Sequence, residues 1–177
     1  MCIRRQSGKI PTEYIPVKVD FFLDEKELSV DGKTFCVSVN DVEGGGEDWH
    51  SLRHFEYRGA DCVVLCFSVI SRKSFKHIEE YWVPFTKKHC PDTKFILVGT
   101  KIDLRNDPET IDSLSRRNDV AVKHEEGMKL SLKVKAECYL ECSSMTGDGV
   151  DDVFDKAAKI ACYLDDKETK DTKCCVL

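Results

Sequence analysis

Thr100-Lys101-Ile102-Asp103 is the stretch of this sequence whose residue types point most directly to chemistry. It follows the apolar run Phe95-Ile-Leu-Val-Gly99. A carboxylate at Asp103 can accept two N–H bonds from a guanine, a pattern adenine does not offer, while the stem of Lys101 lies along the base plane. The competing reading is a strand end with Asp103 capping a turn. Glu141-Cys-Ser-Ser-Met145 adds a second half, because backbone N–H groups around Ser143 and Ser144 can meet the guanine carbonyl oxygen. Asp41-Val-Glu-Gly44 suits a Mg²⁺-side carboxylate, with Gly44 letting its N–H approach a γ-phosphate; a plain glycine-rich loop competes there. Cys174-Cys-Val-Leu177 has the C-a-a-X form of a prenylation signal, and a final Leu favours geranylgeranyl.

These residues need a scaffold that brings them to one edge. Asp61–Phe67 and Phe95–Gly99 are continuous apolar runs, as strands buried on both faces of a parallel sheet are. Cys138–Cys142 reads as a last short strand, and Val17–Leu23 and Lys33–Val39 as a strand pair turning at Asp31-Gly32. Between them, Ser71 or Ser74 caps a helix with Phe75, Ile78, Trp82 and Phe85 on one face. The spacing predicts a short helix within Arg105–Asn118, a helix over His124–Lys135, and an amphipathic last helix carrying Val150, Val153, Phe154, Ala157, Ala161 and Leu164. Asp165–Lys173 reads as a disordered charged tail. Alternating strands and helices imply an α/β fold with a parallel sheet, and ligands of such sheets bind at the carboxyl ends of the strands. Thr100–Asp103 and Ser143–Met145 both follow strands, so both belong on that edge.

At 177 residues the chain has the length of one domain. A net charge of −5 argues against a nucleic-acid surface. Ten cysteines without a Cys-x-x-Cys pair argue against zinc. Cys62, Cys66, Cys138 and Cys142 sit in strand-like runs, where cysteine acts as a small buried hydrophobe. Reduced thiols, and the lack of a secretory or membrane-spanning run, give the expectation of a cytosolic chain.

With these segments in view, the chain resembles a Rho-family small GTPase over nearly its whole length. Pro11-Thr-Glu-Tyr-Ile-Pro16, Leu65-Cys-Phe-Ser-Val69, Trp82-Val-Pro84, His89-Cys-Pro91, Leu97–Arg105, Asp107-Pro108, Tyr139–Ser143 and the Cys-Cys-Val-Leu end carry the likeness. Rac-like and Cdc42-like members look nearest. The resemblance implies a P-loop-NTPase-like domain over residues 1–164, a Rho insert at about 105–118, and a tail over 165–177. It implies GTP or GDP with Mg²⁺ as ligands, Rho-type effectors and regulators as partners, a monomer, and a place at the cytoplasmic face of membranes. Thr100, Lys101 and Asp103 would bind guanine with Ser143 and Ser144 in support, beside Asp41 and Gly44 at the phosphates and metal. Tyr14, Ile15, Pro16, Val17, Lys18, Val19, Asp20, Phe21 and Phe22 would form the first switch and effector segment, Asp41–Tyr57 the second switch, and Cys174 would take the lipid.

The departures fall on nucleotide chemistry. The sequence holds no G-x-x-x-x-G-K-[ST] phosphate loop, and Met1-Cys-Ile-Arg-Arg-Gln looks like the end of the helix that comes after it. Val17 stands where the family has a Mg²⁺-binding Thr. Gly44-Gly-Gly-Glu47 replaces the Gly-Gln-Glu whose Gln orients the attacking water, and Ile10 replaces a Phe that packs on the guanine edge. The absent strand belongs mid-sheet, where its loss leaves a strand-sized gap, so either the remaining chain repairs the sheet or this is not the whole functional product. Two expectations result. One is a guanine-nucleotide-binding signalling protein with poor or absent hydrolysis, whose phosphate loop lies upstream of Met1. The other is a chain complete as given, a nucleotide-free prenylated interaction module.

Overall fold

The computed structural model describes residues 1–11, 22–30, 33–40, 59–165 and 173–176. In chain order these form α1 (Cys2–Ser7), β1 (Phe22–Val30), β2 (Lys33–Asn40), β3 (Cys62–Ser68) and α2 (Arg72–His77). A π-helical stretch (Ile78–Trp82) joins α2 to α3 (Val83–His89). Next come β4 (Lys94–Thr100), a 3₁₀ turn (Ile102–Leu104), α4 (Pro108–Ser115), α5 (His124–Val134), β5 (Tyr139–Cys142), α6 (Val150–Asp165) and β6 (Lys173–Val176). The strands make one sheet in the order β1-β2-β6-β3-β4-β5, antiparallel between β1 and β2 and parallel elsewhere. None of the described helices is long and apolar enough to cross a membrane.

Side chains of the central strands alternate between two cores, as the pleat requires. Val63, Leu65 and Phe67 of β3 and Phe95 and Leu97 of β4 pack with Ile78, Val83, Leu130 and Val134. Cys62, Ile96 and Val98 face the other way, with Val37, onto Val150, Val153, Phe154, Ala157, Ala158 and Ala161 of α6. Phe75, Trp82 and Phe85 pack partly buried against the first core, as the helical spacing predicts. Ser71 caps α2 by accepting the Ser74 N–H at 3.2 Å. Asp107 caps α4 by accepting the Thr110 N–H at 2.8 Å, with Pro108 in the first turn where its missing N–H costs nothing.

Three expectations need correction. The first strand of the hairpin runs on past Leu23 to Val30; Val17–Phe21 of the expected strand lie outside the described residues. Its register with β2 runs to Val30↔Lys33; the expected turn residues Asp31-Gly32 lie outside the described ones. The charged Asp24-Glu-Lys-Glu27 hid the strand, and charges of this kind are what an edge strand tolerates. Cys66 is exposed rather than buried, because the packing under α6 takes in Cys62 and Val64 but stops short of it; Cys138 is only half-buried, while Cys62 and Cys142 are buried. The tail is ordered at both ends of the expected disordered segment: Asp165 closes α6 and Lys173 opens β6.

β6 is what repairs the sheet. It lies parallel to β2, with Cys36↔Lys173, Val37↔Cys174, Ser38↔Cys175 and Val39↔Val176 in register, and meets β3 at Cys62↔Val176. The strand-sized gap that the sequence left mid-sheet is filled by the C-terminal segment.

Candidate functional site

β4 and β5 end side by side, since Thr100 and Cys142 are register partners. The segments that continue from them, Lys101–Asp103 and Ser143–Met145, therefore leave the sheet at neighbouring points of its carboxyl edge. Sequence reasoning placed both there, and the structure brings them together.

Each residue has a distinct part. The Thr100 hydroxyl donates to the Phe67 carbonyl at 3.0 Å, and the Thr100 carbonyl accepts the Val69 N–H at 3.0 Å. Thr100 thus ties β3 to β4 and fixes where the chain leaves the sheet. Lys101 takes a left-handed conformation, φ 63°, which turns the chain sharply into the 3₁₀ turn. Asp103 sits in that turn, and its Oδ1 is buried with no hydrogen-bond partner among the described residues. A buried polar atom left unpaired costs about 1–3 kcal/mol. A donor reaching this edge would relieve that cost. Ser68 Oγ, register partner of Thr100 on the same edge, is likewise buried and unpartnered.

The Ser143 loop is held by itself. Ser143 Oγ accepts the N–H groups of Met145 and Thr146, both at 3.1 Å. The Ser143 N–H donates to the Asp148 carbonyl at 2.8 Å, and the Gly147 N–H to the Ser143 carbonyl at 2.9 Å. The Ser143 hydroxyl is therefore spent on the loop, and the N–H groups of Ser143, Met145, Thr146 and Gly147 are engaged. Arg4 of α1 donates to the Thr146 carbonyl at 3.2 Å and bridges the amino-terminal helix to this loop. Gly149, at φ +67°, packs so close to the Glu141 carbonyl that any Cβ would collide with it.

A polar network behind the edge was not visible in the sequence. Arg105 donates to both oxygens of Glu141, at 2.9 and 2.5 Å, and through Nε to the Val122 carbonyl at 3.1 Å. The Tyr139 hydroxyl donates to the same carboxylate at 2.6 Å, and His124 Nδ1 lies 3.3 Å from it. Burial pushes the Glu141 carboxyl up, but the hydrogen bonds from Arg105 and Tyr139 and the Arg105 charge outweigh this and hold it below the usual range. Burial, and donation to Glu141, push the Tyr139 phenol well up. The ring has room because Gly99 and Gly127 flank it; a Cβ at Gly99 would stand 2.5 Å from its oxygen. Two glycines at otherwise regular strand and helix positions were the only sequence signal for this packing.

The remaining candidates divide otherwise. Tyr14, Ile15, Pro16, Val17, Lys18, Val19, Asp20 and Phe21, with Asp41 and Gly44, lie outside the described residues. Phe22 opens β1 opposite Asn40. Ile10 is half-buried in the segment after α1. Cys174 stands in β6, not in a free tail. Among the described residues no cluster of three or more His, Cys, Asp or Glu could hold a metal ion.

Residues 1–162 match the Ras family. Over 172 residues the chain is 37% identical to the GTP-binding protein rho2 of Schizosaccharomyces pombe, an alignment covering 96% of this chain and 84% of that protein.

Proposed function

The chain belongs to the Ras family as a Rho-like small GTPase, and on that premise we propose that it binds guanine nucleotide weakly and hydrolyses it slowly or not at all. The unpartnered, buried Oδ1 of Asp103 beside the Ser143 loop carries this reading. A guanine fits there: Asp103 accepts its two N–H groups, the Ser144 N–H is the loop amide left to meet its carbonyl oxygen, and Lys101 covers one face. Base contacts of this kind give specificity, whereas affinity in the family comes largely from phosphates and Mg²⁺. Bound Mg²⁺ would neutralise phosphate charge, and Asp41 is a candidate ligand for it. Val17 offers no oxygen, and Gly44-Gly-Gly-Glu47 offers no Gln to orient water.

Cys174 is the proposed anchor. Its thiolate sulfur forms a C–S bond to C1 of geranylgeranyl diphosphate; the C–O bond breaks, diphosphate leaves with the electron pair, and the thiol proton goes to solvent. The protein then acts at the cytoplasmic face of a membrane and signals to actin through Rho-type effectors bound around Asp20. Asp20→Ala should weaken effector capture in a pull-down, and undiminished capture would refute that site.

Titration of the chain with fluorescent GTP and GDP, followed by single-turnover hydrolysis, tests the core of the proposal. Binding that vanishes against excess GTP but not ATP supports it; hydrolysis as fast as an ordinary family member overturns its second half. A nucleotide-free interaction module is the second reading, favoured by the continuous sheet that β6 creates. No binding at high micromolar nucleotide selects it.

A further inference from the structure

Three of the four residues that fill the sheet belong to the C-a-a-X signal. Lys173–Val176 includes Cys174, and β6 holds it by its main chain between β2 and β3. Cys174 stands at the register position of Val37, which is buried in the core under α6. Main chain paired along β2 cannot at the same time lie extended in the site of a transferase, which needs the carboxyl-terminal residues free. The seat is also easily left. β6 pairs with β2 at four positions but with β3 at only one, whereas β3 pairs with β4 at seven. The connection Asp166-Lys-Glu-Thr-Lys-Asp-Thr172 has no apolar residue larger than a threonine methyl to anchor it.

We propose that the slot between β2 and β3 is a strand-accepting groove whose resident occupant is Lys173–Val176, so that sheet completion and prenylation of Cys174 are mutually exclusive. In the seated state the sheet is continuous and the segment is withheld from the transferase. In the released state Cys174 is open to the prenyl donor, and a lipid held in a membrane keeps the segment from its seat. The groove is then available to another extended strand. The lipid half of this proposal rests on the C-a-a-X reading of Cys174.

Two measurements on the full chain test it. Hydrogen exchange read by mass spectrometry should show the amides of 174–176 exchanging at least ~10-fold more slowly than in the free peptide Asp171–Leu177. Geranylgeranyltransferase with geranylgeranyl diphosphate should modify the full chain at least ~10-fold more slowly than that peptide. Cys175→Pro removes a ladder N–H mid-strand and should bring the chain up to the rate of its own Pro-bearing peptide, which controls for enzyme preference. Peptide-like exchange in the unmodified chain overturns the proposal. So does equal prenylation of chain and peptide while the amides stay protected. A native peptide that the transferase leaves unmodified overturns the coupling together with the lipid reading, and the exchange pattern then tells that failure from an empty groove.

Discussion

At Asp103 and Glu141 two carboxylates on neighbouring segments meet opposite fates. Glu141 is saturated by Arg105, Tyr139 and His124, while Asp103 keeps a buried oxygen unpaired. The first serves the fold, and the second is the proposed base reader. Asp103→Ala should therefore weaken guanine-nucleotide binding by about 10- to 100-fold, the worth of hydrogen bonds to a charged acceptor, while leaving the melting temperature unchanged or raised. A titration that shows equal affinity refutes the base-reading role. Glu141→Gln should destabilise by about 2 kcal/mol at neutral pH, since Arg105 loses its charged partner. The sign with pH comes from a folded-state pKa below the usual value. The carboxylate's contribution is complete above the unfolded value of ~4.3 and fades as pH falls through the folded one. Denaturant melts should thus show the gap between native and variant chains narrowing below about pH 4. Asp103 was legible from four residues of local sequence. The Glu141 cluster was not, because its members lie up to 36 positions apart and each alone reads as an ordinary polar residue.

Among the elements, those with a local signature were legible and those set by tertiary contact were not. Ser71 and Asp107-Pro108 announce the starts of α2 and α4, and the apolar runs announce β3 and β4. The extension of β1 from Asp24 to Val30 was missed because pairing with β2, not its own composition, makes it a strand. The segment after the insert is likewise held by distant groups. Arg72 donates through Nε to the Val120 carbonyl at 3.0 Å, and through Nη2 to the Ala121 carbonyl at 3.1 Å. It also pairs with both oxygens of Glu126, whose carboxylate in turn accepts the Lys123 N–H at 3.0 Å at the start of α5. Arg72→Ala should cost about 1–2 kcal/mol through the lost ion pair and two orphaned carbonyls. Exchange of the 119–123 amides should rise well above that in α4, which has its own cap. Equal protection before and after the change would show that Val122, buried and bonded to the Val69 carbonyl at 2.7 Å, holds the segment alone.

For the whole molecule the sheet order is the informative result. From the sequence, either the remaining chain repairs the sheet or a further strand is supplied from beyond it, and nothing there singles out Lys173–Val176. A charged connection ending in a lipidation motif reads as a tail, and only the parallel pairing with β2 reveals the strand. The energetic consequence is testable apart from any lipid. A chain ending at Thr172 loses one side of the ladder along Cys36–Val39 and the pairing at Cys62. At about 0.5–1.5 kcal/mol per hydrogen bond, a few bonds amount to about 2–5 kcal/mol. For a domain of this size each 1 kcal/mol moves the melting temperature by about 2–4 °C, so the shortened chain should melt roughly 5–20 °C lower. Protection should fall along β2 and at the amino end of β3, while the β4–β5 pairing, two strands away, keeps its slow exchange. Adding the free peptide Asp171–Leu177 should recover part of the loss in proportion to its concentration, because a ligand of the folded state stabilises by mass action. An unchanged melt, or protection lost evenly across the sheet, would mean that β6 lies on the sheet without completing it.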